Sequence, residues 1–167
     1  YTDQSLECEL FIVQMNPELP EPMIVEECWG AVFRIRPKTN EAIHHCTFSA
    51  CWTDDYSWID YGWDTGENLE ALQYRNQEYQ LHLGTEDRDR LQFRRDQHDQ
   101  IPQSFEMDDT VWGSDRGLRI PMNIIQAEEM CQIHFIIAWN KQMPDDISTW
   151  LAVDQQPAAI LQISNLS

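Results

Sequence analysis

A short segment of the chain, between positions 54 and 68, is dense in side chains that could bind a ligand. It contains five carboxylates within 14 residues, namely Asp54, Asp55, Asp60, Asp64 and Glu67. Carboxylates on a glycine-containing loop can supply the oxygen ligands that calcium and similar hard cations need. The spacing does not match the known calcium-binding loop motif. The segment therefore has three interpretations: an ion site, a solvated acidic loop, or a loop that binds a partner.

Aromatic side chains in the same segment favour a larger ligand. Trp58, Tyr61 and Trp63 lie among its acidic residues, and Trp112 lies in a second acidic segment that also contains glycine. Exposed aromatics of this kind anchor protein interfaces or stack on sugars; the alternative is that they fold back over the edge of the core. We predict a partner-binding surface made of Asp54, Asp55, Trp58, Asp60, Tyr61, Trp63, Asp64 and Trp112.

A basic stripe follows further along the chain. If residues 88–95 form a strand, Arg88, Arg90 and Arg94 share the face opposite Leu91 and Phe93. Such a stripe either pairs with neighbouring acids on a solvated face or contacts an anionic partner. We predict the three arginines as candidate contacts for an anionic partner.

Motifs of catalysis are missing from the sequence. It contains no Gly-x-Ser-x-Gly elbow, phosphate-binding loop, Gly-x-Gly-x-x-Gly or His-Glu-x-x-His motif. Adjacent acids such as Asp108 and Asp109 point apart in an extended chain, so they are poor candidates for an acid–base pair. We predict no catalytic residues and no cofactor. The alternative is an enzyme that uses the carboxylates of residues 54–67 with a divalent ion.

The five cysteines are scattered through the chain and include no Cys-x-x-Cys pair. An odd count with this spacing favours buried, reduced thiols over a disulfide framework or a zinc site, and so predicts a cytoplasmic protein. No apolar run reaches the length of a membrane-spanning helix. We expect no export signal within the chain, while a leader removed before Tyr1 stays an open question.

Alternating apolar residues predict several strands that would position these side chains. The candidates are residues 6–13, 24–36, 43–52, 79–83, 88–95, 118–124 and 131–139. Residues 79–83 and 88–95 read as one hairpin and the last two strands as another, with 131–139 central because it is apolar on both faces. Residues 96–117 read as a polar loop with a short edge strand near Phe105. Asp145 and Asp146 predict the start of one short helix.

This pattern predicts a mainly β fold, an antiparallel β-sandwich or flattened barrel with a short C-terminal helix. We expect one domain over residues 1–167. The alternative is an α+β fold, because residues 67–80 could begin as a helix.

The formal net charge of −18 is unevenly distributed along the chain. Residues 1–33 carry −7, residues 34–95 carry −3 and residues 96–167 carry −8. Such a charge disfavours unspecific binding to nucleic acids or anionic membranes and favours a basic partner protein. The leading hypothesis is a non-enzymatic interaction module, either an inhibitor or immunity-type protein or a subunit of an assembly. The alternative is a carbohydrate-binding β-sandwich. The oligomeric state is not predicted.

Overall fold

A computed structural model describes residues 5–53, 58, 60–66, 69–106, 111–141, 143 and 146–154. The strands are β1 (Leu6–Gln14), β2 (Glu27–Pro37), β3 (Ile43–Cys51), β4 (Asp60–Trp63), β5 (Leu69–Arg75), β6 (Tyr79–Glu86), β7 (Trp112–Ser114), β8 (Gly117–Ile125) and β9 (Cys131–Lys141). The helices are α1 (Arg88–Asp96) and α2 (Ser148–Asp154). Neither described helix has the length and apolar composition needed to cross a membrane.

The strands form two antiparallel sheets. The large sheet has six strands in the order β1-β2-β9-β6-β5-β4, and the small sheet has the order β3-β8-β7. The prediction of a mainly β, antiparallel fold with a short C-terminal helix is confirmed, and the architecture is compatible with a sandwich. The predicted 118–124/131–139 hairpin is also confirmed, and β9 lies centrally between β2 and β6. It is central because both of its faces are apolar and therefore need cover.

The main core lies between the two sheets. Phe33 and Phe135 of the large sheet meet edge to face at 6.0 Å, and Phe33 contacts Phe48 of the small sheet at 6.3 Å. Ile120 and Met122 of β8 are each 1% exposed in the same core. Alternation along the strands places one apolar set on each inner face, which is why this sequence folds as layers.

A second core lies on the other face of the large sheet, beneath α2. Ala152 and Val153 of the helix are fully buried with Ile136 and Ala138 of β9. Gly84 allows this close approach, because a Cβ there would lie 2.4 Å from Cγ1 of Val153. The small residues at this contact let the helix backbone approach the sheet.

The structure corrects the predicted strand over residues 88–95, which is helix α1. Asp87 caps the helix: its Oδ1 accepts a hydrogen bond from the Arg90 N–H at 2.7 Å. Leu91 is buried while Phe93 is 54% exposed, so the two do not share one face. The predicted hairpin of residues 79–83 with 88–95 is therefore wrong, because β6 runs to Glu86 and the chain then enters α1.

Two smaller predictions are also wrong. Residues 69–75, within the stretch that could begin as a helix, form strand β5. Phe105 lies outside any strand and is fully buried in the main core, where an aromatic ring gains more from burial than from an edge position. The short strand of this region is β7, beginning at Trp112.

Candidate functional site

Three large aromatic side chains are exposed where β4 meets β7. They are Tyr61, Trp63 and Trp112, with exposed fractions of 48%, 50% and 64%, and we call them the aromatic edge. β4 is the last strand of the large sheet, and its register places Tyr61 opposite Tyr74 and Trp63 opposite Leu72. Tyr61 stacks on Tyr74 with ring centroids 6.2 Å apart. The edge thus continues the apolar face of the sheet beyond the cover of the small sheet.

Trp63 reaches from the large sheet to the small one. Its indole lies against Gly113 of β7, where a Cβ would be 2.6 Å from Cζ2. Trp112 precedes Gly113 directly in β7, and because successive residues of a strand point to opposite faces, its indole lies on the other face of this strand from Trp63. Exposed aromatic side chains of this kind are characteristic of interface anchors and of stacking platforms.

A polar cleft opens beside Trp63. It has a volume of about 360 Å³ and is lined by Trp63, Glu70, Asp87, Arg88, Asp89 and Val111. We call it the carboxylate cleft. Its three carboxylates and one guanidinium give it a formal charge of −2. The cleft therefore combines an aromatic wall with excess negative charge.

Glu70 is a partly buried carboxylate of this cleft, and its surroundings shift its pKa. Burial raises the pKa of Glu70, the charge of Asp87 raises it further, and Arg88 acts in the opposite direction. The partial burial of Glu70 and the nearby charge of Asp87 make its charged form less favourable than it would be in water. A cation placed beside it would offset that cost, so the cleft favours cationic ligands.

The other predicted partner-binding residues are dispersed. Trp58 is half-buried and packs against Trp52 and Tyr74 at 5.5 Å and 5.6 Å between ring centroids, so it shares the Tyr74 ring with Tyr61 but belongs to the packed core. Asp60 is exposed at the start of β4. Asp64 turns to the opposite face of the sheet, as strand alternation requires. Asp54 and Asp55 lie outside the described residues.

The three arginines do not form the stripe that the sequence predicted. Arg94 is 1% exposed, because its guanidinium enters the protein and pairs with Glu86. Arg90 is partly exposed and lies over the ring of Phe93 at 5.2 Å. Arg88 lines the carboxylate cleft, with its Nε 3.5 Å from Oδ1 of Asp89. Arg90 and Arg94 lie one helical turn apart and both approach Glu86, whereas Arg88 lies apart from them in the cleft.

A carboxylate–imidazole–hydroxyl chain lies on the α2 side of the large sheet. His82 donates from Nε2 to Oδ2 of Asp64 at 3.0 Å, and its Nδ1 accepts from the Thr149 hydroxyl at 2.9 Å. The order of groups resembles that of a nucleophilic triad, but Thr149, in the first turn of α2, is fully buried between the helix and the sheet. A buried hydroxyl cannot meet a substrate, so the chain's role here is to anchor α2 to the sheet.

A second buried cluster joins α1 to the large sheet. Arg94 donates from Nη1 to Oε2 of Glu86 at 2.5 Å, and Nδ1 of His134 lies 3.6 Å from the same oxygen. All three side chains are at most 1% exposed. Burial, together with the charges of Arg94 and Arg90, lowers the pKa of His134 to about 3. His134 is therefore neutral at ordinary pH.

Sequence reasoning missed the carboxylate cleft because its residues come from β4, β5 and the start of α1, and only the fold brings them together. The signal in the sequence that residues 88–96 are helical is Asp87, a residue type that commonly caps the start of a helix. Metal ligation is not supported among the described residues, where no group of three or more His, Cys, Asp or Glu could hold an ion. Asp54, Asp55 and Glu67 of the predicted ion site lie outside that part of the chain.

Comparison of the chain with protein-family models, with curated proteins and with solved structures finds no match. A functional proposal for it therefore rests on the geometry and chemistry of its own residues.

Proposed function

We propose that this chain is a non-enzymatic interaction module that binds a basic partner protein through the aromatic edge and the carboxylate cleft. One observation carries the proposal: the half-exposed indole of Trp63 forms a wall of a cleft whose other walls hold Glu70, Asp87 and Asp89. An arginine or lysine side chain that entered this cleft would meet an aromatic face and carboxylate oxygens together.

The chemistry of such a contact is favourable on two counts. A cation over an indole gains about 0.5–2 kcal/mol, depending on how far it is desolvated. Glu70 in its charged form gains a partner that offsets its partial burial. The guanidinium of arginine suits the site best, because its flat fork can stack on Trp63 and bind a carboxylate in the same pose.

The charge of the whole chain supports the same partner class. A net charge of −18 attracts a basic protein from a distance and raises the association rate at low salt. An inhibitor or immunity-type protein that covers a cationic groove, or a subunit of an assembly, would both use such a field. All five cysteines are free, so we expect the protein to act in a reducing compartment such as the cytoplasm.

The proposal is tested by titrating the full chain with three synthetic peptides of equal length, rich in arginine, in lysine or in glutamine. Tryptophan fluorescence and calorimetry measure the dissociation constant at low and at high salt. We expect binding in the order arginine, lysine, glutamine, with affinity that falls as salt rises. Equal binding of all three peptides, or affinity that does not change with salt, would overturn the proposal.

A carbohydrate ligand is the second candidate, and the exposed indole of Trp63 in the wall of a polar cleft favours it. An exposed indole beside a polar cleft is also a suitable platform for a sugar ring, with the carboxylates accepting hydrogen bonds from hydroxyl groups. Sugar binding would be nearly independent of salt, whereas cation binding is not. A glycan array read at both salt concentrations separates the two candidates.

A further inference from the structure

The opposite edge of the large sheet is β1, whose outer side pairs with no other strand among the described residues. In the register of β1 with β2, Met15 N–H donates to Cys28 O at 2.8 Å and Lys38 N–H donates to Ser5 O at 2.9 Å. Because bonded pairs alternate in an antiparallel ladder, the odd-numbered residues of β1 face β2. The even-numbered residues from Leu6 to Gln14 therefore direct their N–H and C=O groups outward, where no described strand pairs with them.

This edge lacks several of the features that usually prevent strands from pairing. β1 is nine residues long, and its register runs without a break from Leu6 opposite Pro37 to Gln14 opposite Trp29. It contains no proline, lysine or bulge. By contrast, β4 at the other edge of the sheet is only four residues long.

The acidic residues of β1 are neutralised within the chain. Glu9 pairs with Arg34 at 3.3 Å, and Glu7 pairs with Arg36. Arg34 also lies 5.2 Å from the centre of the Phe11 ring. In a chain of net charge −18 this strip is therefore locally balanced, so a second strongly acidic molecule could approach it with little repulsion.

Apolar side chains along the edge remain in contact with water. Leu10 and Ile12 are 50% and 65% exposed and point to the same face of the sheet. Ile12 also lines an apolar cavity of about 270 Å³ together with Trp29, Ala31 and Trp52. A strand paired with the outer side of β1 would place its own side chains next to Leu10 and Ile12 and so reduce their exposure to water.

We infer that β1 binds the β1 strand of a second copy of this chain, in antiparallel register about Leu10. This register places Leu10 opposite Leu10 and Cys8 opposite Ile12, so the outward backbone groups of both strands are satisfied. Glu9 then faces Phe11 and Glu7 faces Val13, so no like charges are directly opposed. The two six-stranded sheets become one continuous sheet, and the aromatic edges remain at its two outer ends.

The experiment is analytical ultracentrifugation of the full chain over a range of concentrations, with three variants. Ile12→Lys places a charge in the pairing edge, and Leu10→Pro removes one outward N–H without touching the bonds to β2. Ile24→Lys is the matched control, because Ile24 is 69% exposed but lies outside β1. Circular dichroism checks that each variant is folded.

We expect a concentration-dependent dimer for the wild type and for Ile24→Lys. Ile12→Lys and Leu10→Pro should each raise the dimer dissociation constant by at least about tenfold, as a buried unpaired group does at an interface. In hydrogen exchange, the amides of Cys8, Leu10 and Ile12 should be protected in the dimer and not in the monomer. A wild type that stays monomeric, a dimer that neither edge variant weakens, or protection of these amides in the monomer would overturn the inference.

Discussion

The indole of Trp63 lies directly against Gly113, so that a Cβ at position 113 would come within 2.6 Å of Cζ2 and 2.8 Å of Cη2. The contact joins the outermost strand of the large sheet to the outermost strand of the small one. It also fixes the orientation of the ring that forms one wall of the carboxylate cleft. Only glycine permits this packing without moving the indole.

Gly113→Ala should therefore impair binding more than it impairs folding. The added methyl group must displace Trp63, and we expect the affinity for an arginine-rich peptide to fall by about tenfold, or about 1.4 kcal/mol. Gly62→Ala is the matched control within β4, because a Cβ there meets nothing within 4 Å. If the two variants bind the peptide equally well, the position of the Trp63 ring does not control the site.

The buried pair of Arg94 and Glu86 should be strongly coupled. Arg94→Met leaves a buried carboxylate without its main partner, which costs about 3–5 kcal/mol in the free energy of unfolding. Adding Glu86→Leu removes that carboxylate, and the double variant should recover much of the loss. Denaturant unfolding of the wild type, both single variants and the double variant measures the coupling.

The surface pair of Arg36 and Glu7 is the control for this cycle, because both side chains are more than a third exposed. Its coupling should be far weaker than that of the buried pair, because solvent screens the two charges. Additive effects of Arg94→Met and Glu86→Leu would contradict the assignment of this pair as the link between α1 and the sheet.

The titration of His134 should make the free energy of unfolding depend on pH. Its pKa in the folded protein is lowered to about 3, against an ordinary value of 6.5. Below pH 6.5 the unfolded chain binds a proton that the folded chain does not, so stability is fully present above that pH and falls as the pH drops toward 3. This residue alone contributes a slope of up to about 1.4 kcal/mol per pH unit.

Glu86 acts in the opposite sense. Burial raises its pKa above the ordinary 4.5, so its contribution is fully present below pH 4.5 and is lost as the pH rises through the raised value. His134→Gln should flatten the acid side of the stability profile, whereas His44→Gln, at an exposed position, should leave it unchanged. Parallel profiles for the wild type and His134→Gln between pH 6.5 and 4 would show that His134 is not the source of the slope.

The strands could be read from the sequence where alternation is long and uninterrupted. Leu118, Ile120 and Met122 of β8 and the apolar run of β9 predicted their hairpin and the central place of β9, because both patterns follow from burial of defined faces. For Trp58, Trp63 and Trp112 the sequence left two alternatives, exposed anchors or side chains folded over the core edge. Trp63 and Trp112 are exposed, whereas Trp58 packs against Trp52 and Tyr74.

Helix α1 could not be read from alternation, because Leu91 and Phe93 are spaced as in a strand while Phe93 in fact faces solvent. The charges of its ends were more informative: Asp87 and Asp89 lie at its start and Arg94 and Arg95 at its end. The burial of Arg94 depends on Glu86, which comes from another element. The pairing of Trp63 with Gly113 likewise requires the tertiary fold, so no local pattern could have predicted the cleft.

The central claim is that the carboxylate cleft, and not the overall charge, recognises a cation. Glu70→Gln and Glu78→Gln each remove one negative charge, the first within the cleft and the second at the exposed turn between β5 and β6. The decisive measurement is the dissociation constant of an arginine-rich peptide for both variants at low salt. We predict a loss of about tenfold for Glu70→Gln and of less than about twofold for Glu78→Gln. Equal effects of the two substitutions would contradict the account.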